Sequence, residues 1–304
     1  MSGESELKKT ITDGAIDSVF VEVTHSETLG LRNPSQLRLF HLKLDGVSFT
    51  DEGLYKCLRK NIGQYVFSRA EIKRYVDEGD AFSVALDAMQ RVIDQKGKAP
   101  DEFGNMLGEI LLYAFFEEKL DAPKIFSKME LNARGSGDSY DGVHLLKLSD
   151  DDFQVVFGIS KLEDGPEEAV DNAFYKMKKA NTASSAGIPL VCELLFDKHV
   201  DDALAAQLDY VISPRPTSAS SDTAYGIFLC YSIGLDKDKY DNATYKRLVE
   251  SKMINDLKYV MPKIQKGIAD CGLASRSVYI YIVPLDNATE DKNSIMNKIV
   301  GGGN

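Results

Sequence analysis

The chain contains no tryptophan and four cysteines, Cys57, Cys192, Cys230 and Cys271, scattered over 304 residues. None forms a C-x-x-C pair, so neither a disulfide framework nor a cysteine zinc site is expected, and the pattern suits a reducing compartment. Histidine is equally sparse. His25, His41, His144 and His199 stand apart and form no H-E-x-x-H zinc motif. Long apolar runs are also missing. No stretch reaches the roughly 18 residues that a membrane span requires, and the first twenty residues have no apolar signal region. A cytoplasmic protein without membrane association is the expectation. There is no G-x-x-x-x-G-K-S/T phosphate loop, so this chain has no such motif with which to drive ATP hydrolysis. Positive charge is the minority: 36 Lys and Arg face 47 Asp and Glu, a formal charge of −11. An acidic surface repels a phosphate backbone, which excludes a strong, sequence-independent DNA binder acting alone. A local basic groove or a basic partner could still hold DNA.

What is present is ample core material, 43% hydrophobic residues, enough for one large domain or two ordinary ones. Alternation predicts strands at Ser18-Val-Phe-Val-Glu-Val-Thr24 and over residues 37–44. From residue 51 to 93 the period becomes helical, with Leu54, Leu58 and Ile62, then Val84, Ala88 and Val92. The polar segment ending at Pro100 marks a boundary. Residues 1–100 are read as an N-terminal α/β assembly region, and 101–304 as the main domain. In the latter the pattern predicts a helix over 103–119, strands over 124–132, 140–148 and 153–162, and a helix over 166–181. Further strands are expected at 225–233 and 277–285, separated by a long helix at about 241–270. The fold class is therefore α/β.

Three pieces of this order carry chemistry. The helix at 103–119 is apolar on two faces, with Glu109 in the middle of the second face. A buried carboxylate there needs a cation, a metal or hydrogen-bond donors. Next, the Gly135-Ser-Gly-Asp-Ser-Tyr-Asp141 turn feeds a strand and sets Asp141 near its start. Finally, Phe153, Val155, Phe157, Ile159 and Lys161 share a strand face, and Lys161 closes an otherwise apolar row. Each piece alone is ordinary. Together, an acid on a leading helix, an Asp-Gly about thirty residues on and a Lys ending the following strand have the order of a PD-(D/E)xK nuclease core. Carboxylates in that arrangement hold Mg²⁺, which polarises a phosphate and acidifies the attacking water, while a lysine on the same strand offsets developing charge. The run Lys176-Met-Lys-Lys179 is read as a solvated helix face, with phosphate binding, together with Lys198, as the alternative. Arg215, between two prolines, is a loop residue within reach of DNA. His144 falls on the strand face opposite Asp141 and reads as structural.

The stretches Gly108-Glu-Ile-Leu-Leu-Tyr113, Lys128-Met-Glu-Leu131, Asp141-Gly-Val-His144 and Phe157-Gly-Ile-Ser-Lys-Leu162 resemble the HamA family, nuclease subunits of the Hachiman anti-phage system. The likeness is strongest over residues 103–180. It implies a mixed-sheet nuclease core flanked by helices and a site built from Glu109, Asp141 and Lys161. It also implies Mg²⁺ on Glu109, Asp141 and the backbone carbonyl of Ser160. The implied setting is bacterial cytoplasm, with a superfamily 2 helicase subunit (HamB-like) as partner and DNA engaged mainly through the complex.

One residue departs from the family pattern. The acid of (D/E)xK should stand at position 159, which is Ile159. An aliphatic side chain cannot ligate Mg²⁺. Three readings stay open. The site is inactive; or its acid has moved, with Glu163, Glu130 and Asp138 as candidates; or Glu109, Asp141 and Ser160 hold a weaker metal. The leading expectation is a metal-dependent DNA endonuclease with activity reduced or lost. Its rival is a catalytically silent interaction subunit that keeps the nuclease fold.

Overall fold

The computed structural model describes residues 7–133, 140–149, 152–182 and 223–301. Its framework is a seven-stranded sheet of order β1-β2-β9-β8-β7-β6-β5. The strands are β1 (Phe20–Val23), β2 (Ser35–Leu42), β5 (Lys124–Ser127), β6 (Gly142–Ser149), β7 (Asp152–Glu163), β8 (Thr223–Ser232) and β9 (Ser277–Leu285). A two-stranded hairpin, β3 (Leu44–Asp45) and β4 (Ser48–Phe49), stands apart. β2, β9, β8 and β7 run parallel, and the remaining pairs are antiparallel. Parallel strands are covered on both faces, which is why β9, SVYIYIVPL, is buried at all nine positions. The α/β class with a mixed sheet flanked by helices is thus as expected.

Strand periodicity sorts the core into two layers. Val155, Phe157 and Ile159 of β7, with Ile227, Leu229, Ile280 and Ile282, pack under α7 (Pro166–Thr182) and α8 (Asn242–Asp270). Val156, Leu162, Phe228, Tyr279 and Tyr281 face the other way. They meet α1 (Ala15–Val19), α2 (Glu52–Val66), α4 (Ser83–Lys98), α5 (Met106–Lys119) and α9 (Ala288–Ile299). α3 (Arg69–Asp77) has no buried residue, rests on this layer through the partly buried Ile72 and Tyr75, and is opened by a Ser68/Glu71 capping box. Among the described residues no helix is long and apolar enough to cross a membrane.

The sheet runs straight through the boundary drawn at residue 100. β2, from the first hundred residues, pairs with β9 from the last thirty, Ser35 opposite Val278 through Leu39 opposite Ile282. The two segments therefore share one sheet. Other differences are local. Residues 124–132, read as one strand, are the short β5 followed by α6 (Lys128–Ala133). The strand expected from Ser18 begins only at Phe20, after α1. The single helical stretch 51–93 is broken into three helices, and α9 was not foreseen.

α5 lies unusually close to the sheet. A Cβ on Gly158 would come within 2.8 Å of Leu112, and one on Gly226 within 2.0 Å of Phe116. Bare glycines on β7 and β8 thus form the floor on which α5 rests. α5 is buried nearly all round, as its two apolar faces require.

Candidate functional site

Glu109 lies in the first turn of α5, where a helix dipole favours an anion. Its position is fixed by Gly108, whose Cβ would lie 2.3 Å from Leu162 and 3.1 Å from the Ser160 hydroxyl. That missing side chain lowers the start of α5 onto the end of β7. From α2, the Tyr65 hydroxyl donates to Glu109 Oε2 at 2.8 Å. Burial, and then the negative charge of Asp141, push the Glu109 carboxyl up to about 7.

Asp141 immediately precedes β6, and its N–H donates to the Gly158 carbonyl at 2.7 Å. Its side chain is fully buried. Ser160 donates to Oδ2 through both its N–H, at 2.8 Å, and its hydroxyl, at 3.1 Å. The ammonium of Lys176, from α7, bridges both carboxylate oxygens at 2.5 and 2.7 Å. Lys128, at the start of α6, stands 3.5 Å from Oδ1. Burial opposes ionisation of Asp141, but Lys176, Lys128 and the Ser160 N–H outweigh it and hold the carboxyl below its usual range.

Lys161 shares a cleft of about 680 Å³ with Glu109, Ser160, Lys128 and Lys176. Lys179 and Lys292 also line it, as do Glu102 and Glu163. The Lys161 ammonium makes no hydrogen bond or ion pair with the described residues. Desolvation, and then the like charge of Lys176, depress its pKa. The structure thus places Glu109 and Lys161 in one cleft, with Asp141 buried behind its lysines.

The other candidates fall elsewhere. Ile159 is fully buried in the apolar layer with Ala173, Phe174 and Met177 of α7 and does not line the cleft. Ser160 was expected to offer its carbonyl; what reaches Asp141 is its N–H and hydroxyl. Of the alternative acids, Glu163 lines the cleft and accepts from Asn172 at 2.9 Å. Glu130 is committed to Lys124 and the Ser127 N–H, at 2.7 and 2.9 Å, and borders a separate cavity. Asp138, Lys198 and Arg215 lie outside the described residues. His144 is buried, with Nδ1 2.8 Å from the Ala122 carbonyl, and its pKa is depressed to about 3 by burial; it has a structural environment.

Two further residues reach the site, Lys128 from the stretch resembling the family and Lys176, for which phosphate binding is the second sequence reading. Lys128 was hidden in a stretch taken for a strand. Lys176 was assigned to a solvated face, although it lies seven residues after Ala169 and three after Ala173, on the buried stripe of α7. A lysine on the apolar stripe of an amphipathic helix was the available signal.

The donor set can be tested against Mg²⁺. Glu109 lines the cleft with Glu102 and Glu163, Asp141 lies buried behind its lysines, and Mg²⁺ commonly takes one or two carboxylates. Both Asp141 oxygens, however, are already bridged by an ammonium, and position 159 supplies no ligand. Among the described residues no group of three His, Cys, Asp or Glu gathers to hold an ion. In this arrangement the residues present do not fit a bound Mg²⁺.

The family model described as HamA matches residues 3–299 of the chain. No curated protein matches it.

Proposed function

The chain belongs to the HamA family and is thereby a component of Hachiman-type defence; from that premise we propose that it is the DNA-contacting subunit of a bacterial, cytoplasmic anti-phage complex that works with a helicase. One observation carries this reading. In a chain of net charge −11, one cleft gathers Lys128, Lys161, Lys176, Lys179 and Lys292. Lysine ammoniums neutralise backbone phosphates and release their counterions, irrespective of base sequence. Lys161, whose ammonium has no hydrogen bond or ion pair among the described residues, is the group best placed to take a phosphodiester oxygen. Glu109, with its carboxyl near 7, can accept or give a proton at neutral pH. The helicase would bring the DNA to a subunit whose overall charge repels it.

Cleavage is the narrower question. The bound carboxylate of Asp141 and the apolar residue at 159 support a nuclease fold that holds DNA and cuts it slowly or not at all. A second reading, a working metal-dependent endonuclease, is favoured by the juxtaposition of Glu109 and Asp141, whose mutual repulsion a divalent cation would relieve.

The two readings separate in a Mg²⁺-dependent DNA cleavage assay with the helicase partner present. The parent chain should bind duplex weakly alone, bind better in the complex and show little cleavage. Ile159→Glu should not restore cleavage, because position 159 is buried in the apolar layer and does not line the cleft. A fully active parent that Glu163→Ala silences would establish the endonuclease reading, with the acid at 163. Tight, salt-sensitive duplex binding by the isolated chain would count against delivery by a partner.

A further inference from the structure

Asp141 is a buried carboxylate with a complete set of partners, and the cation among them belongs to the chain. From the coordination around it we infer that Lys176 is a tethered countercation that excludes divalent metal from this cleft. It is the residue that decides whether the site is metal-bound. The inference concerns the same cleft as the functional reading but needs neither DNA nor cleavage, so either can fail without the other.

The geometry comes first. Lys176 Nζ lies 2.5 Å from Oδ1 and 2.7 Å from Oδ2. A Mg²⁺ ion held by these oxygens would need this space at about 2.0–2.1 Å from its ligands. Ammonium and metal cannot share it. The Ser160 N–H and hydroxyl take further acceptor capacity of Oδ2. Lys128 adds a second positive charge 3.5 Å from Oδ1.

The charge count agrees. Asp141 and Lys176 neutralise each other. Ile159, buried in the apolar layer under α7, adds neither charge nor ligand to the cleft. The same helix accounts for both features: α7 presents Ala173, Phe174 and Met177 to the apolar layer that contains Ile159, and Lys176 to Asp141.

The ammonium is also held in place. α7 packs on the sheet through Ala169, Val170, Ala173, Met177 and Ala180. Asn172, one turn before Lys176, is hydrogen-bonded to Glu163 on β7. The Lys176 side chain is only a quarter exposed. Displacing it by a metal from solution would leave an ammonium to be repartnered.

The test is Mn²⁺ binding to the purified full-length chain, followed by calorimetry and by the paramagnetic resonance signal of free Mn²⁺. The parent should show no saturable site. Lys176→Gln should bind one Mn²⁺ saturably. Adding Asp141→Asn to Lys176→Gln should abolish binding. Lys176→Met, of similar length and apolar, repeats the test should the glutamine variant fail to fold. Thermal melting supplies a second readout. Removing Lys176 should lower the melting temperature by leaving Asp141 uncompensated, and Mn²⁺ should restore it. The inference is overturned if the parent binds Mn²⁺ as tightly as the variants. It is overturned equally if the variants melt lower and Mn²⁺ does not restore them, for Lys176 is then a structural ion-pair partner alone.

Discussion

Glu109 keeps a proton that the unfolded chain would release sooner. Its carboxyl titrates near 7 in the folded protein against an ordinary 4.5, because it is desolvated and lies near Asp141. A raised folded pKa stabilises the protein fully below the unfolded value, and that contribution is lost as pH rises through the folded one. Between about pH 4.5 and 7 this residue therefore makes stability fall with rising pH. Glu109→Gln keeps the acceptor for Tyr65 and removes the titration. It should stabilise the protein at pH 8 relative to the parent by about 2 kcal/mol, discounting the full shift for partial exposure, and much less at pH 4. Urea unfolding at the two pH values measures this; an equal difference at both would refute the assignment. The sequence indicated Glu109, Asp141 and Lys161 because helix and strand periods placed them in a recognisable order. It did not indicate the partnership of Asp141 with Lys176, which joins residues 35 positions apart on different elements.

Within its elements the molecule depends on the approach of α5 to the sheet. Phe116 is fully buried, lies edge-on to His144 at 5.1 Å and neighbours Tyr281 at 5.9 Å. It has little room to yield to a Cβ on Gly226. Gly226→Ala should therefore cost about 1–3 kcal/mol, the usual scale of overpacking, and should lift α5 and so weaken the placing of Glu109. Chemical denaturation measures the first effect. The pH dependence above measures the second, since a lifted Glu109 titrates closer to 4.5. An unchanged midpoint would mean that the α5 contact is looser than the structure shows. This close packing could not be read from the glycines in advance, because a strand glycine marks a bend or a bulge as readily as a helix seat.

At the scale of the whole molecule, one sheet unites the two ends of the chain. β2 pairs with β9, and Phe20 and Phe40 lie 5.0 and 5.1 Å from Phe115 on α5. The buried carboxylate of Glu117 on α5 accepts from the Ile11 N–H, the Thr10 hydroxyl and the Lys124 N–H, each at 2.8 Å. Residues 101–304 expressed alone would expose the β9 edge and the apolar side of α5. That fragment should bind a hydrophobic dye and melt without a sharp transition, whereas the full chain should unfold as one cooperative unit. A fragment with its own sharp melt would mark residue 100 as a genuine domain boundary.

Local pattern was enough to determine the class of the fold, most of the sheet, the burial of α5 and the order of its acids and lysine. Each follows from periodicity over a few neighbouring residues, and the burial of both faces of a helix or strand is written in that period. The family resemblance rested on the same local words. Only the tertiary structure decided the rest: that the first hundred residues complete the sheet, that Ile159 belongs to the core layer under α7, and that the cation beside Asp141 is a lysine. These depend on which faces meet across long stretches of chain, and on the balance of burial against charge where they meet. A one-dimensional pattern carries neither.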